Sequence, residues 1–329
     1  MSLERRNVIF HIDVNSAFLS WEATYRLHHL GGKEDLREKV SAVGGDMAMR
    51  HGIILAKSIP AKKFHIKTGE TILEAKQKCP ELILVPPNYG LYEKCSKAFM
   101  DILRRYSPDV EQYSIDEAFV DMTGTEGLWG DPVTAAYRMK DQIRDTLGFT
   151  VNIGISENKL LAKMASDFQK PDRVHTLWHN EIEDKMWPLP VSDLFFVGRA
   201  TAKKLFNLGI HTIGELAHAE PHLLKVHLKK HGEVIWAFSR GMDVSVVQSE
   251  APANKGYGNS TTIAFDVTDA STAKLVLLAL AETVGTRLRA AKVRAEVIAV
   301  GIKSHDLRYA SHQLSLIHIS EPTRRSYIS

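Results

Sequence analysis

The chain has 329 residues, of which 44% are hydrophobic and 25% charged, and its formal net charge is +3. This composition is typical of a folded globular protein and excludes a disordered, fibrous or membrane-embedded class. The length predicts roughly two or three domains. The spacing of Cys79 and Cys95 fits neither a zinc site nor a disulfide framework, and no apolar run approaches the ~20 residues of a membrane span. We therefore expect a cytoplasmic protein without a membrane partner.

The first predicted element is a short buried strand over residues 8–14, which contains Asp13 near its end. Asn15 or Ser16 is expected to cap the helix that follows, through about His29. The pattern then predicts strands over 53–56 and 82–85, and helices over 71–78 and 91–106.

Two β-favouring runs, 110–113 and 118–122, flank Asp116 and Glu117 and predict an antiparallel hairpin with the acids near its turn. The pattern continues with a helix over 132–147, a strand over 150–155 and a helix capped by Ser156 that runs through Phe168. Residues 1–175 therefore read as one α+β domain whose sheet carries carboxylates on adjacent strands.

The next domain, residues 176–245, is predicted to be helical, because strand patterns disappear after Val191. It also concentrates the positive charge. Between Gly198 and Arg240, seven Lys and Arg residues face three Glu residues, a local charge of +4. Residues 246–256 have the composition of a linker.

The third predicted domain, residues 257–314, has a β-α-β-β order, with a strand over 257–265, a helix over 272–289, a strand over 295–303 and a strand from about Arg308. A sheet of this kind normally carries a second helix, so we expect an uncovered apolar face. Residues 315–329 continue no pattern and resemble translated sequencing-adapter DNA. We expect a foreign tail there and a natural chain that continues beyond Leu314.

The strongest chemical signal joins Asp13 to the Asp116-Glu117 pair, which follows 103 residues later. Carboxylates are the ligands that Mg²⁺ prefers, and two such ions could be bridged by three acids. A lone Asp-Glu pair near a turn is more often a pair of solvated turn residues. The surrounding motifs favour the metal site.

Three motifs carry a family resemblance: Phe10-His11-Ile12-Asp13-Val14-Asn15-Ser16-Ala17-Phe18, Tyr113-Ser114-Ile115-Asp116-Glu117-Ala118-Phe119-Val120-Asp121, and Gly154-Ile155-Ser156-Glu157-Asn158-Lys159-Leu160-Leu161-Ala162-Lys163-Met164-Ala165-Ser166-Asp167. In content and order they resemble the Y-family DNA polymerases, in particular the DNA polymerase IV branch, and the resemblance extends over residues 7–314. It implies a right-hand polymerase with a ferredoxin-like palm, a small fingers insertion near residues 30–80, a helical thumb and a partial little finger.

The resemblance implies that two Mg²⁺ ions are bound by Asp13, Asp116, Glu117 and the backbone carbonyl of Val14. Glu117 stands at the position of the family's catalytic glutamate. Phe18, five residues after the first acid, matches the aromatic steric gate that excludes a 2′-hydroxyl.

Ser16, Lys62 and Lys170 match positions that contact the nucleotide in relatives. Lys62 departs from the family's common Tyr-Glu-Ala-Arg motif, in which Arg stands at its position and an aromatic residue stands at that of Ile59. Lys62 could otherwise be a solvated surface lysine.

Residues 197–205 resemble the helix-hairpin-helix of the family's thumb, although Phe196 stands where the first Gly is usual. A hairpin of this kind points backbone N–H groups at a DNA phosphate. The expected partners are primer-template DNA and deoxynucleoside triphosphates, bound by a monomer. A sliding clamp is a further expected partner, through a C-terminal motif expected to be missing from this sequence.

The expected function is DNA-directed DNA polymerisation, with low-fidelity translesion synthesis in DNA repair. Two alternatives stay open. Another two-metal palm enzyme, such as a nucleotide cyclase, would lack the duplex-binding thumb. A DNA-binding accessory protein of damage tolerance would lack one of the three acids.

Overall fold

The computed structural model describes residues 6–45, 52–250 and 253–316. These residues form two compact units. The first contains the described residues up to 250, apart from Gly52, and the second contains Gly52 and residues 253–316. In these ranges, none of the helices has the length and apolar character that crossing a bilayer requires.

The strands of the described residues are β1 (Ile9–Val14), β2 (Ser41–Gly44), β3 (Ile54–Lys57), β4 (Ile83–Val85), β5 (Val110–Gln112), β6 (Glu117–Asp121), β7 (Val151–Ser156), β8 (Val174–Thr176), β9 (Val297–Lys303) and β10 (Tyr309–Ser315). The α-helices are α1 (Ala17–His29), α2 (Ile59–Lys62), α3 (Ile72–Lys78), α4 (Tyr89–Leu103), α5 (Glu126–Trp129), α6 (Pro132–Leu147), α7 (Lys159–Asp167), α8 (Ile182–Lys185), α9 (Arg199–Asn207), α10 (Ile213–His218), α11 (Pro221–Leu228), α12 (Lys230–Ser239) and α13 (Ala270–Ala290).

The main sheet of the first unit has the strand order β5-β6-β1-β7-β8. Strand β1 lies between β6 and β7 and is antiparallel to both, as in a ferredoxin-like sheet with β8 added at one edge. Successive side chains of a strand point to opposite faces. Phe10 and Ile12 accordingly pack into the core that contains Phe99 of α4 and Ile143 of α6. On the other face, Ile9 packs against Ala162 of α7. Both faces of β1 are therefore buried, including the polar residues His11 and Asp13.

A second, three-stranded sheet of order β3-β2-β4 forms between α1 and α4 in the chain. Its small core includes Ile54, Ile66 and Ile72. Strand β2 was not predicted from the sequence. Helix α3 begins at a capping box, in which the Thr71 hydroxyl accepts from Glu74 N–H and the Glu74 carboxylate accepts from Thr71 N–H.

Two predicted helix caps are wrong. Helix α1 follows Ser16, but neither Asn15 nor Ser16 caps it, because Ser16 adopts a left-handed conformation (φ 48°) without a side-chain cap bond. Helix α7 is capped by Asn158, whose side chain accepts from Leu161 N–H at 2.9 Å. Ser156 belongs instead to β7, where its hydroxyl donates to the Leu177 carbonyl.

The helices α8 to α12 share one core, which also includes Leu161 of α7. No strand occurs between residues 177 and 250, which agrees with the helical fold expected for this region.

In the second unit, α13 precedes an antiparallel β9-β10 pair. Residues 257–265 do not form the predicted strand, since a strand needs a neighbour for its backbone groups and this segment has none among the described residues. None of residues 253–316 is buried, and Leu275, Ile298 and Tyr309 are among the exposed apolar side chains. The expected uncovered apolar surface is therefore observed. Of the predicted foreign tail, residues 317–329 lie outside the described residues.

Candidate active site

The acids lie where two paired strands meet. Asp13 of β1 is directly opposite Glu117 of β6, and the backbone N–H of Val14 donates to the carbonyl oxygen of Asp116 at 3.0 Å. Strand pairing therefore brings together acids that are far apart in the sequence.

Ser114 fixes the turn that presents the second pair of acids. Its hydroxyl oxygen accepts from the backbone N–H groups of Asp116 (3.2 Å) and Glu117 (3.0 Å), and the hydroxyl donates to Asp116 Oδ1 at 2.7 Å. A serine that bonds the backbone two or three residues on is a recognised turn motif. Sequence reasoning noted Ser114 only as part of a motif and assigned it no role.

Asp13 is almost fully buried, and burial raises the pKa of its carboxyl to about 6, against the attraction of Lys170. The Lys170 ammonium donates to Asp13 Oδ2 and lies 2.7 Å from Asp167 Oδ1. Burial lowers the pKa of Lys170, but the two carboxylates outweigh burial and raise it above its usual value. Lys170 therefore supplies the positive charge that a buried carboxylate needs.

Glu117 has a different partner. Lys163 of α7 donates to Glu117 Oε1 at 2.9 Å, and His11 Nε2 lies 4.0 Å from Glu117 Oε2. Burial and the nearby lysines hold the pKa of His11 well below its usual range, so its ring is neutral at physiological pH. Sequence reasoning gave neither His11 nor Lys163 a role, because α7 and β6 meet only in the folded chain.

A pocket of about 370 Å³ lies between the main sheet and the β3-α2 segment. Its lining includes Asp13, Val14, Ser16, Ala17, Phe18, Leu55, Ala56, Lys57, Lys62, Thr68 and Asp116. The structure thus gathers six predicted site residues around one cavity. Of the other two, Glu117 and Lys170 are not among the described lining residues, and each pairs with a neighbour as described above. Lys57 and Thr68 line the pocket but were not predicted.

The ring of Phe18 is held at the pocket by other aromatic rings. It stacks on Tyr92 with centroids 4.4 Å apart and an interplanar angle of 12°, and Tyr89 meets it edge-on at 6.2 Å. The hydroxyl of Tyr92 donates to the buried carboxylate of Glu22 at 3.1 Å. Phe18 is therefore both a core-packed and a pocket-lining side chain.

Asp13, Asp116 and the Val14 carbonyl supply oxygen donors alone, which suits a hard divalent cation. The described residues nevertheless contain no group of three or more His, Cys, Asp or Glu arranged to hold a metal. Glu117 Oε1 lies 2.9 Å from the Lys163 ammonium. The oxygen donors that line the pocket fit a hard divalent cation.

At the hairpin before α9, Phe196 has φ 73°. This left-handed conformation strains any side chain with a Cβ and explains why Gly is usual at such a position. Gly198 is the residue that precedes α9, and Phe196 is 55% exposed. Phe196 thus adopts the backbone conformation that favours glycine.

An acid-bearing ferredoxin-like sheet followed by a helical hairpin domain is the architecture of a right-hand polymerase. Among solved structures, a Y-family DNA polymerase chimera of Dbh and Dpo4 has the same fold, with a TM-score of 0.81 over 94% of this chain and 88% of the other, at 23% identity. Three family models match the sequence: the impB/mucB/samB family at residues 12–167, the IMS family HHH motif at 179–210 and the impB/mucB/samB family C-terminal domain at 254–327.

Curated relatives cover most of the chain. A DNA polymerase IV of Clostridium acetobutylicum is 46% identical over 96% of this chain and 80% of its own length. A DNA polymerase IV of Acetivibrio thermocellus is 39% identical over 96% of this chain and 78% of its own length. DNA polymerase IV 1 of Bacillus subtilis is 37% identical over 95% of this chain and 74% of its own length. The chain therefore belongs to the DNA polymerase IV group of the Y-family, which comprises metal-dependent, DNA-directed DNA polymerases of translesion synthesis.

Proposed function

We propose that this chain adds deoxynucleotides to the 3′ end of a primer on template DNA, using the pocket at Asp13 and Asp116 as its active site. One observation carries the proposal: β1 and β6 pair in a register that brings Asp13, Asp116 and Glu117 to one end of the sheet, beside the pocket. In the palm of a DNA polymerase this is the position at which metal, primer end and triphosphate must meet.

Asp13, Asp116, the Val14 carbonyl and Glu117 would hold two Mg²⁺ ions. When bound, such ions activate the primer hydroxyl and neutralise charge on the reacting triphosphate. The chain's own residues supply the rest. Ser114 keeps Asp116 and Glu117 oriented, and the hydrogen bond between β1 and Asp116 fixes the spacing of the acids.

The nucleotide would lie in the pocket with its sugar against Phe18 and its phosphates towards Lys62, beside Ser16. Lys170, bonded to Asp13, would be available to the triphosphate once a cation replaces it there. The palm (1–175, with the fingers insertion near 30–80), thumb (176–245), linker (246–256) and partial little finger (257–314) are part of the same proposal. A cytoplasmic location, a monomeric state and contact with a sliding clamp stay predictions from the sequence.

Asp116→Ala tests the assignment. Primer extension with Mg²⁺ should fall on the order of 10³-fold or more, because the variant loses a ligand whose charge is needed in the transition state. Affinity for primer-template DNA should persist, since the removed group is an anion. Asp101→Ala is the matched control, because that exposed acid on α4 pairs only with Arg104 among described residues and should leave extension unchanged. Extension at the wild-type rate by Asp116→Ala would refute the metal role.

A further inference from the structure

The pocket has two electrostatic poles. Asp13 and Asp116 lie at the end formed by the main sheet, and Lys57 and Lys62 line the side formed by β3 and α2. Among the described residues, neither lysine has a carboxylate within ion-pair distance. Glu70 is the acid that raises the pKa of Lys57, and its carboxylate forms an ion pair with Lys78.

Placing these two ammonium groups together is costly in the free protein. Burial lowers the pKa of Lys57 below its usual value, and repulsion by Lys62 lowers it further, more than Glu70 restores it. A polyanion in the pocket would reverse this repulsion. Two ammonium groups that repel each other at the wall of one cavity are therefore suited to binding an anionic ligand there.

Local structure fixes the spacing of the two lysines. Strand β3 ends at Lys57, and the Ser58 hydroxyl oxygen then accepts from Ala61 N–H at 3.1 Å, which caps the single turn of α2. The fully buried Ala61 anchors that turn in the core beneath. Lys62, the last residue of α2, consequently returns to the same pocket wall as Lys57.

We propose that Lys57 is a further phosphate-binding lysine, in addition to Lys62 and Lys170, and that Lys57, Lys62 and the hydroxyl of Thr68 hold the distal phosphates of the incoming deoxynucleoside triphosphate. This inference rests on the proposed function and extends it to a residue outside the predicted motifs. The acids repel phosphate unless cations are bound between them, so the far phosphates of the nucleotide point to the lysine pole. An ammonium binds phosphate as a point charge and needs no planar geometry, so two lysines can replace the arginine and aromatic pair that is common at this segment.

The test compares Lys57→Met with Lys63→Met on the full chain. Lys63 is the exposed neighbour of Lys62, does not line the pocket, and so controls for the loss of one positive charge. Single-nucleotide insertion on primer-template DNA gives KM and kcat, and calorimetry with magnesium pyrophosphate gives a binding constant that does not depend on turnover. Melting temperatures are measured for all variants.

Lys57→Met should raise the KM for the triphosphate and weaken pyrophosphate binding, each roughly 10-fold, the size expected for one charge-assisted contact. The kcat should stay within about 2-fold of the wild type, because the lysine contacts groups that stay bound throughout the reaction. Lys57→Arg should restore most of the affinity, and Lys63→Met should match the wild type.

An unchanged KM and unchanged pyrophosphate affinity in Lys57→Met would overturn the inference, as would equal losses in Lys57→Met and Lys63→Met. If Lys57→Met lowers the melting temperature, Lys57→Gln is measured under the same criteria. Failure of the wild-type chain to extend any primer would instead count against the proposed function, and the pyrophosphate comparison would still decide the role of Lys57.

Discussion

The position of Phe18 depends on a buried network that its own sequence motif does not contain. Tyr92 of α4 supports the ring by stacking, and Glu22 of α1 accepts from the Tyr92 hydroxyl. Glu22 is 4% exposed and also lies 3.4 Å from the guanidinium of Arg26. A buried carboxylate is tolerated only when it is paired in this way. The ring therefore has little freedom to move aside for a larger sugar.

Phe18→Ala tests whether this rigidity selects the sugar. Selection for deoxyribonucleotides over ribonucleotides should fall on the order of 100-fold, because removing the ring removes the steric penalty against a 2′-hydroxyl. The measurement is kcat/KM for a matched pair of nucleotides. Tyr25→Ala, a substitution on the same helix outside the pocket, should leave the ratio unchanged. Equal sugar selection by Phe18→Ala and the wild type would exclude Phe18 from this role.

The acids and Phe18 could be singled out from the sequence because they stand within motifs that resemble those of the family, and their roles stay predictions. The role of Lys163 could not be predicted from the sequence. Lys163 lies 46 residues from its partner Glu117, and nothing in its helix predicts that contact. Lys57 was not predicted as a site residue for the same reason. It is an ordinary last residue of a strand until the fold places Lys62 beside it.

At the scale of elements, α7 packs very closely on β7, and Gly154 makes this possible. A Cβ at Gly154 would lie 1.9 Å from the Ala162 carbonyl oxygen and 2.4 Å from the Ser166 nitrogen. Both are backbone atoms and cannot move without shifting the helix. The same helix carries Lys163, so the approach of α7 to the sheet also sets the contact with Glu117.

Gly154→Ala should therefore lower the free energy of unfolding by about 3 kcal/mol or more, since the helix must move away from the sheet to admit a methyl group. Denaturant titration measures the change. Gly127→Ala is a suitable control, because its Cβ would meet nothing within 4 Å, and the substitution should be neutral or slightly stabilising. A stable Gly154→Ala variant would mean that α7 tolerates a wider separation.

Element existence was largely predictable, and element ends were not. The helix predicted over residues 132–147 coincides with α6. Asp131 caps its start and Gly148 follows its last residue. Ser156 was wrongly predicted to cap a helix, because serine is common both at helix caps and at strand ends. In the structure it ends β7, and its hydroxyl donates to the Leu177 carbonyl. Strand β2 was missed because Ser41-Ala42-Val43-Gly44 is too short for a periodic pattern.

For the whole molecule, burial is distributed very unevenly. Strand β1 is buried on both faces, whereas every described residue of β9 is exposed. An isolated two-stranded pair is marginally stable in water, so β9 and β10 lack the packing that would protect their backbone hydrogen bonds. The two units should differ strongly in local stability.

Hydrogen exchange followed by mass spectrometry on the full chain should detect this difference. Amides of β9 should exchange at least roughly 10³-fold faster than those of β1 and β7, because local opening of an exposed pair needs little free energy. Helix α6, packed on the main sheet, serves as the internal reference for slow exchange. Similar protection of β9 and β1 would show that another surface covers the pair in solution.

The register of β1 and β6 has a consequence for how this gene can vary. The ladder runs from Ile9 opposite Asp121 to Asp13 opposite Glu117. Deleting one residue within either strand would turn the acid beyond it to the opposite side of the sheet, while leaving the composition almost unchanged. Lengthening the loops outside the ladder would leave the acids in place. Catalytic competence should therefore tolerate many substitutions and loop insertions in this protein, but not a frame-preserving loss of a single codon between Ile9 and Asp13.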